Sequence, residues 1–182
     1  MWRRLSQFYP PWVELILLLV LGFSFWYPAA HYTEMPMRIP THFGPAGLPD
    51  GWATKSWVTV LLGAVIMAGV YLLITGIGLW MAIVEDPRKL ISWPDEQALK
   101  RMSTERAELL RRVTLQGLLA TKALIVGMGA YLEYASTQVA IGQSKSIGWW
   151  IWVFVGGILV VSGYLVWKTI RLTYPGKKED RV

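Results

Sequence analysis

The second apolar segment, residues 56–84, reads SWVTVLLGAVIMAGVYLLITGIGLWMAIV and contains no charged residue. A membrane-spanning helix needs about 20 mostly apolar residues. Three further segments meet this criterion, so the predicted spans are residues 11–28, 56–84, 113–133 and 146–168. These segments are apolar all round, whereas a helix on the surface of a soluble domain is apolar along one stripe. The sequence predicts an all-α membrane protein, a four-transmembrane-helix bundle forming a single integral membrane domain over residues 1–182.

The composition excludes several classes of function. Of the 182 residues, 16% are charged, against roughly 25% in a typical soluble domain. The chain has no Cys, which excludes disulfides, thiolate metal sites and cysteine nucleophiles. Phosphate-binding loops, nucleophile elbows and dinucleotide fingerprints are absent from the sequence. We therefore expect a protein that is not an enzyme, with no catalytic residues, no cofactor and no bound metal.

The basic residues concentrate on alternate sides of the predicted spans. Cytoplasmic segments of membrane proteins carry an excess of Lys and Arg. The N-terminal segment carries Arg3 and Arg4, and the middle connection, residues 85–112, holds seven Lys or Arg, whereas the third connection has Lys145 alone. We therefore place the protein in the cell membrane with both termini and residues 85–112 in the cytoplasm. Six acidic residues nearly balance the seven bases, so no nucleic-acid partner is expected.

The first span has a rival interpretation as a cleaved signal peptide, because two Arg precede its apolar run. Trp26, Tyr27 and Pro28 lie where a cleavage site requires small side chains. We therefore expect the first helix to be retained.

Three ionisable residues lie within the predicted spans, where they are costly and require partners or water. Lys122 lies near mid-depth of the third span, Glu133 follows it by three helical turns, and Glu14 lies one turn into the first span. One hypothesis is a polar path lined by Lys122 and Glu133. The alternative is that Lys122 snorkels or pairs with Glu14 while Glu133 lies at the interface.

The cytoplasmic connection, residues 85–112, contains a helix-start signal in which Ser92 precedes Asp95 by three residues and Pro94 follows early in the first turn. It predicts an amphipathic helix from about Pro94 that runs into, or hinges onto, the third span, either as a connector or as a docking site for a cytoplasmic regulator. Small residues such as Ala123 and Gly127 also allow close helix packing, within one chain or in a homo-oligomer.

The outer loop, residues 29–55, is rich in Pro and Gly and contains both His residues of the chain. Proline fixes φ and glycine permits positive φ, so we expect a series of defined turns without a β-ladder. The motif residues of this loop are Pro40, Thr41, His42, Phe43, Gly44, Gly47, Pro49, Asp50, Gly51, Trp52 and Lys55.

This ordered string resembles the signature of bacterial and archaeal membrane proteins that carry domain of unknown function 1648, as in the N-terminal part of SdpI-like immunity proteins. The match covers roughly residues 12–60, and Asp86-Pro87-Arg88 resembles the family's Asn-Pro-Arg stretch. The resemblance implies contact with an extracytoplasmic peptide at the loop and with a regulator in the cytoplasm. SdpI-like proteins have further spans that are not found in these 182 residues.

Three functions follow as hypotheses. The first is a non-enzymatic membrane protein for sensing, signalling or immunity towards an extracytoplasmic ligand or peptide. The second is a metal-dependent or acid–base site at the outer face, built from His31, His42, Glu34, Asp50 or Glu133. The third is an accessory subunit of a membrane complex.

Overall fold

The computed structural model describes Phe8, residues 10–90 and residues 102–173. The helices of this part of the chain are α1 (Trp12–Ala30), α2 (Trp57–Ile83), α3 (Thr104–Ala140) and α4 (Ile151–Thr173). A hairpin formed by strands β1 (Arg38–Phe43) and β2 (Pro49–Thr54) connects α1 to α2. Short 3-10 helices cover Tyr32–Glu34 and Pro87–Leu90.

All four helices are long and apolar enough to cross a membrane, which confirms the predicted number of candidate spans among the described residues. The bounds of α1 and α2 lie within two residues of the predicted ones. The predicted fourth span starts five residues too early, because residues 146–150 are irregular backbone and α4 begins only at Ile151. This difference arises because a hydropathy window does not distinguish apolar turn residues from the helix that follows them.

Helix α3 extends beyond the predicted third span, residues 113–133, at both ends. Charged residues at the start of α3 are helical, although they are too polar to be counted in an apolar span. Ser103 caps the helix, since its hydroxyl accepts a hydrogen bond from the Arg106 backbone N–H at 3.3 Å. The predicted helix start at Pro94 lies outside the described residues, and the described helix begins at Thr104.

The expectation of turns without a β-ladder in residues 29–55 is wrong. Residues 38–43 and 49–54 pair as an antiparallel hairpin, so the described chain is mostly helical but not all-α. Proline is tolerated here because both strands of a two-stranded sheet are edge strands, where a missing N–H breaks no obligatory ladder bond. The register shifts on either side of His42, which marks an irregularity next to Pro40.

The chain divides into two compact units. The first unit comprises Met1–Pro11, Leu73–Thr121 and Leu159–Val182, and the second comprises Trp12–Leu72 and Lys122–Ile158. In the first unit a small core forms around Ala82 of α2 and Leu115 of α3, against which Phe8 packs. Arg111 of α3 also donates a hydrogen bond to the Val84 carbonyl at 2.5 Å, which ties α3 to the end of α2.

The second unit contains the hairpin and the helix segments on which it packs. Met35, Ile39 of β1 and Val60 of α2 form its buried core. The predicted small-residue positions of α3 permit close contacts, since a Cβ at Gly127 would lie 3.2 Å from the Phe154 ring of α4. The hairpin is therefore anchored on helices rather than suspended as a free loop.

Candidate functional site

Lys55 fastens the hairpin to the 3-10 turn that precedes it. Its ammonium group donates hydrogen bonds to the carbonyl oxygens of Tyr32, at 3.2 Å, and Met35, at 2.7 Å. The same group lies 4.9 Å from the centroid of the Tyr32 ring, which stacks on Trp57 at the start of α2. Lys55 thus satisfies the Met35 carbonyl and adds a second donor to the Tyr32 carbonyl, which also accepts from the Met35 N–H, and we assign it a structural role.

The tip of the hairpin is a hydrogen-bonded turn attached to the connection between α3 and α4. Gly44 donates its N–H to the Leu48 carbonyl at 2.9 Å, and Gly47 has a φ of 75°, which glycine adopts without strain. The Ile147 N–H donates to the Gly47 carbonyl at 2.9 Å. A Cβ at Gly47 would also lie 3.3 Å from the Gly148 carbonyl oxygen, which is a tight contact. Both ends of the hairpin are therefore held in place.

His42 and Asp50 form a cross-strand pair on the outer side of the hairpin. The His42 Nδ1 and an Asp50 carboxylate oxygen are 2.5 Å apart, and both side chains are more than half exposed. Gly51 lies opposite His42, and a Cβ at Gly51 would come within 2.8 Å of the His42 Cβ. Gly51 thus leaves room for the His42 side chain, and Asp50 binds its imidazole.

A cavity of about 330 Å³ lies between the hairpin and the ends of α1, α2 and α3. This volume is at the lower end of the roughly 300–1,000 Å³ of small-molecule sites. Its wall is mainly apolar and includes Pro28, Ile39, Val60 and Leu132. From the motif, Pro40, Thr41 and Phe43 line it. The motif therefore divides into residues that hold the hairpin and residues of β1 that face the cavity.

Glu133 is the one ionisable residue among the described residues of the cavity wall. Its carboxyl group packs against Gly63 of α2 so closely that a Cβ at that position would overlap it. Gly63 thus provides the space that lets a carboxyl group reach an apolar cavity. Ser136 and Thr137, on the next turn of α3, add hydroxyl groups to the same wall.

A separate polar cluster is buried where α1, α2 and α3 meet in the second unit. The Lys122 ammonium donates to both carboxylate oxygens of Glu14, at 2.6 and 2.8 Å. The Tyr71 hydroxyl donates to Glu14 at 2.8 Å, and the Lys122 ammonium lies 4.8 Å from the Tyr71 ring. Glu14 is 4% exposed and Lys122 is 2% exposed. This cluster satisfies its charges internally.

The structure pairs Lys122 with Glu14 and does not join Lys122 to Glu133 in one polar path. Eleven residues of α3 separate the two, which corresponds to roughly 16 Å at 1.5 Å per residue. The sequence allowed either a polar path through Lys122 and Glu133 or a pair between Lys122 and Glu14. The structure contains the pair.

The two His residues do not come together. The His31 Nδ1 lies 2.9 Å from the Tyr27 carbonyl, whereas His42 binds Asp50. Among residues 10–90 and 102–173, no group of three or more His, Cys, Asp or Glu side chains is arranged to hold a metal ion. The predicted ligands of the metal-site hypothesis are thus distributed over separate sites.

Sequence reasoning missed two residues that complete these sites, Tyr71 and Gly63. Tyr71 carries a hydroxyl in the middle of a charge-free span, and such a group requires a hydrogen-bond partner when it is buried. That signal could have identified Tyr71 as a partner of Glu14. Gly63 gives no such signal, because its role depends on which residue of another helix packs against it.

Together these features define a multi-pass membrane protein in which the first two spans are joined by an anchored β-hairpin. Residues 19–68 match the family model described as Domain of unknown function (DUF1648). The match confirms the resemblance inferred from the motif and covers most of α1, the whole hairpin and the first part of α2. Comparison with curated proteins gave no match, and neither did comparison with solved structures.

Proposed function

We propose that this protein is a non-enzymatic integral membrane protein that senses an extracytoplasmic ligand or peptide, in signalling or immunity. The observation that carries the proposal is the cavity of about 330 Å³ between the hairpin and the helices. A largely apolar cavity with a few convergent polar groups is the usual form of a ligand site. The family match covers β1, which supplies Pro40, Thr41 and Phe43 to the cavity wall.

The proposed orientation places the hairpin outside the cell and both termini in the cytoplasm. The concentration of Lys and Arg in residues 85–112 supports this assignment. In this orientation a ligand reaches the hairpin from the extracytoplasmic side. A cytoplasmic regulator would then meet residues 85–112, which connect α2 to α3.

The anchoring of the hairpin favours a role in binding. Lys55 holds its base and the bond between Ile147 and Gly47 holds its tip, so the cavity wall is organised before a ligand arrives. A site organised in advance loses less conformational entropy on binding. We assign Lys55, Gly47 and Gly51 to this scaffold, and we assign Pro40, Thr41 and Phe43 to contact with the ligand.

Two glycine variants of α2 test whether the cavity binds a ligand. In Gly63→Ala the new methyl group displaces the Glu133 carboxyl group, whereas at Gly69 nothing lies within 4 Å of an added Cβ. Both changes raise helix propensity equally, so Gly69→Ala is the matched control. Native mass spectrometry of protein released from its own membranes should show a bound molecule on the wild type and on Gly69→Ala, and less on Gly63→Ala. Equal retention by both variants, or no bound molecule on the wild type, would contradict the proposal.

A further inference from the structure

The chemistry of the cavity restricts what it can hold. Apolar side chains form most of its wall, and Glu133 introduces a single acidic group. A charged group in an apolar environment is costly unless a partner of opposite charge or hydrogen-bond donors are present. The occupant that fits this wall is therefore apolar and carries a donor or a positive charge.

Of the cations of the second unit, Lys55 and Lys122 already have partners, and Arg38, which precedes Ile39 of the cavity wall, has an exposed side chain. Lys55 donates to the carbonyls of Tyr32 and Met35, and Lys122 donates to Glu14. Within the described part of the chain, no Lys, Arg or His forms an ion pair with Glu133. The backbone N–H of Ala64 hydrogen-bonds Glu133, but no cation of the described residues neutralises this carboxyl group, so a positive charge on the ligand would complement it.

We propose that the cavity binds the amino end of an apolar peptide, with its terminal ammonium group facing Glu133. This assignment rests on the proposed function and specifies its ligand. Charge complementarity carries it, because an ammonium–carboxylate hydrogen bond is roughly twice as strong as a neutral one. The apolar side chains of the first residues contact Ile39, Val60 and Leu132.

The hydroxyl groups of the wall favour a peptide over a lipid amine. Thr41, Thr59, Ser136 and Thr137 line the cavity with Glu133. Each hydroxyl supplies one donor and two acceptor lone pairs. A peptide presents an ammonium group, a carbonyl and an N–H within its first two residues and can use these groups, whereas the acyl chain of a lipid cannot. Capture of a terminal amine is a known mode of peptide recognition.

The test uses the full chain in nanodiscs of phosphatidylcholine, which contains no primary amine. The probe is a trileucine amide with a fluorophore at its carboxyl end, and the matched probe has an acetylated amino end. Fluorescence anisotropy should show that acetylation weakens binding to the wild type about tenfold or more, the effect of losing one charge-assisted hydrogen bond. Glu133→Gln should bind both probes alike, and Glu34→Gln, which changes an exposed carboxylate, should behave as the wild type.

Gly63→Ala provides a second variant that keeps the carboxyl group but displaces it, with Gly69→Ala as its control. The proposal predicts that the free-amine probe binds Gly63→Ala more weakly than the wild type and binds Gly69→Ala as tightly as the wild type. It is overturned if the acetylated probe binds the wild type as tightly as the free amine, or if Glu133→Gln leaves the preference intact. Exclusion of the probe by phosphatidylethanolamine in the nanodisc would assign the cavity to a lipid headgroup and also overturn it.

The two proposals can fail separately. A molecule that remains bound to native protein in a Gly63-dependent way, together with no preference for the free amine, would keep the sensing function and reject the peptide amino end. Absence of both the native ligand and the amine preference would reject both proposals.

Discussion

Two contacts of the protein each bring a side-chain nitrogen to a carboxylate oxygen at a similar distance, but in very different surroundings. In the helices, Lys122 and Glu14 are 2.6 Å apart, with side chains 3% and 5% exposed. On the hairpin, His42 and Asp50 are 2.5 Å apart, with side chains 73% and 53% exposed. Both pairs join segments that are distant in sequence or on different strands, so the distance alone does not distinguish them.

The comparison teaches that the surroundings decide what a pair contributes. The buried pair is embedded in further contacts with Tyr71, and removal of one partner would leave an uncompensated charge. The side chains of the exposed pair are in contact with water whether or not they bind each other, so their contact contributes little to stability. We therefore expect the charged contacts of this protein to form a graded series that follows burial.

The largest effect is expected at Lys122. Lys122→Met leaves Glu14 buried without its cation and should lower the free energy of unfolding by about 3–5 kcal/mol. Lys145→Met, which removes an exposed ammonium group, is the control and should have little effect. Detergent-dependent unfolding followed by circular dichroism measures both variants.

The double variant Glu14→Leu with Lys122→Met sharpens the same test. Replacement of both members of a buried pair by apolar residues is often neutral. The double variant should therefore be more stable than Lys122→Met alone. A double variant that loses the sum of both single losses would contradict our account of the cluster.

An intermediate effect is expected at Lys55, which is half-buried. Lys55→Met removes two hydrogen bonds from an ammonium group to the carbonyls of Tyr32 and Met35. Because a hydrogen bond to a charged group contributes about 1.5–3 kcal/mol, we expect a loss in that range. Hydrogen exchange of the hairpin amides should quicken while exchange in α4 stays unchanged. Unchanged exchange in β1 and β2 would show that Lys55 does not hold the hairpin.

A small effect is expected for the exposed pair. A double-mutant cycle with His42→Ala and Asp50→Ala should give a coupling energy of about 0.2–1 kcal/mol. Thermal unfolding of the four proteins measures it. A coupling as large as that of the buried pair would remove the distinction between the two regions.

The smallest effect on stability is expected at the turn after α2. The Arg88 guanidinium, followed by its backbone N–H, hydrogen-bonds the Asp86 carboxylate and holds the pKa of Asp86 below the ordinary value of 3.8. A lowered folded-state pKa stabilises the turn above the unfolded pKa, and the contribution is lost as the pH falls through the folded value.

Carboxyl NMR titration checks this turn. Arg88→Ala should raise the pKa of Asp86 towards its ordinary value. Lys89→Ala should change it less, because Lys89 acts on the Asp86 carboxylate through its charge alone, and its backbone N–H donates to the Asp86 backbone carbonyl instead. Equal changes in both variants would contradict the assignment.

The number of candidate spans could be predicted because length and hydropathy are properties of single segments. The hairpin could not, because its strands contain Pro40, Pro49 and Gly51, which ordinarily disfavour a sheet. A strand pair with two free edges and support from α2 tolerates these residues. The apolar window started the third span only at residue 113, since charged residues end such a window but do not end a helix, whereas the helix-start signal had already predicted a helix running into this span.

Only those parts of the site that lie within single segments of the sequence were predicted. The motif identified β1 and the hairpin turn, and the spans identified Glu14, Lys122 and Glu133 as residues that require an explanation. Which of them pair depends on helix packing, so sequence reasoning left Lys122 with two interpretations. The cavity was not predicted, because its wall combines Pro28, β1, α2 and α3 from distant parts of the chain.

The central claim is that the cavity receives its ligand from outside the cell. Because the chain has no Cys, a single Thr41→Cys substitution in the cavity wall gives one labelling site. A membrane-impermeant maleimide applied to intact cells should label this variant, and trileucine amide should slow the reaction. Glu105→Cys at the start of α3 should react only after permeabilisation. Labelling of Thr41→Cys that requires permeabilisation would contradict the account.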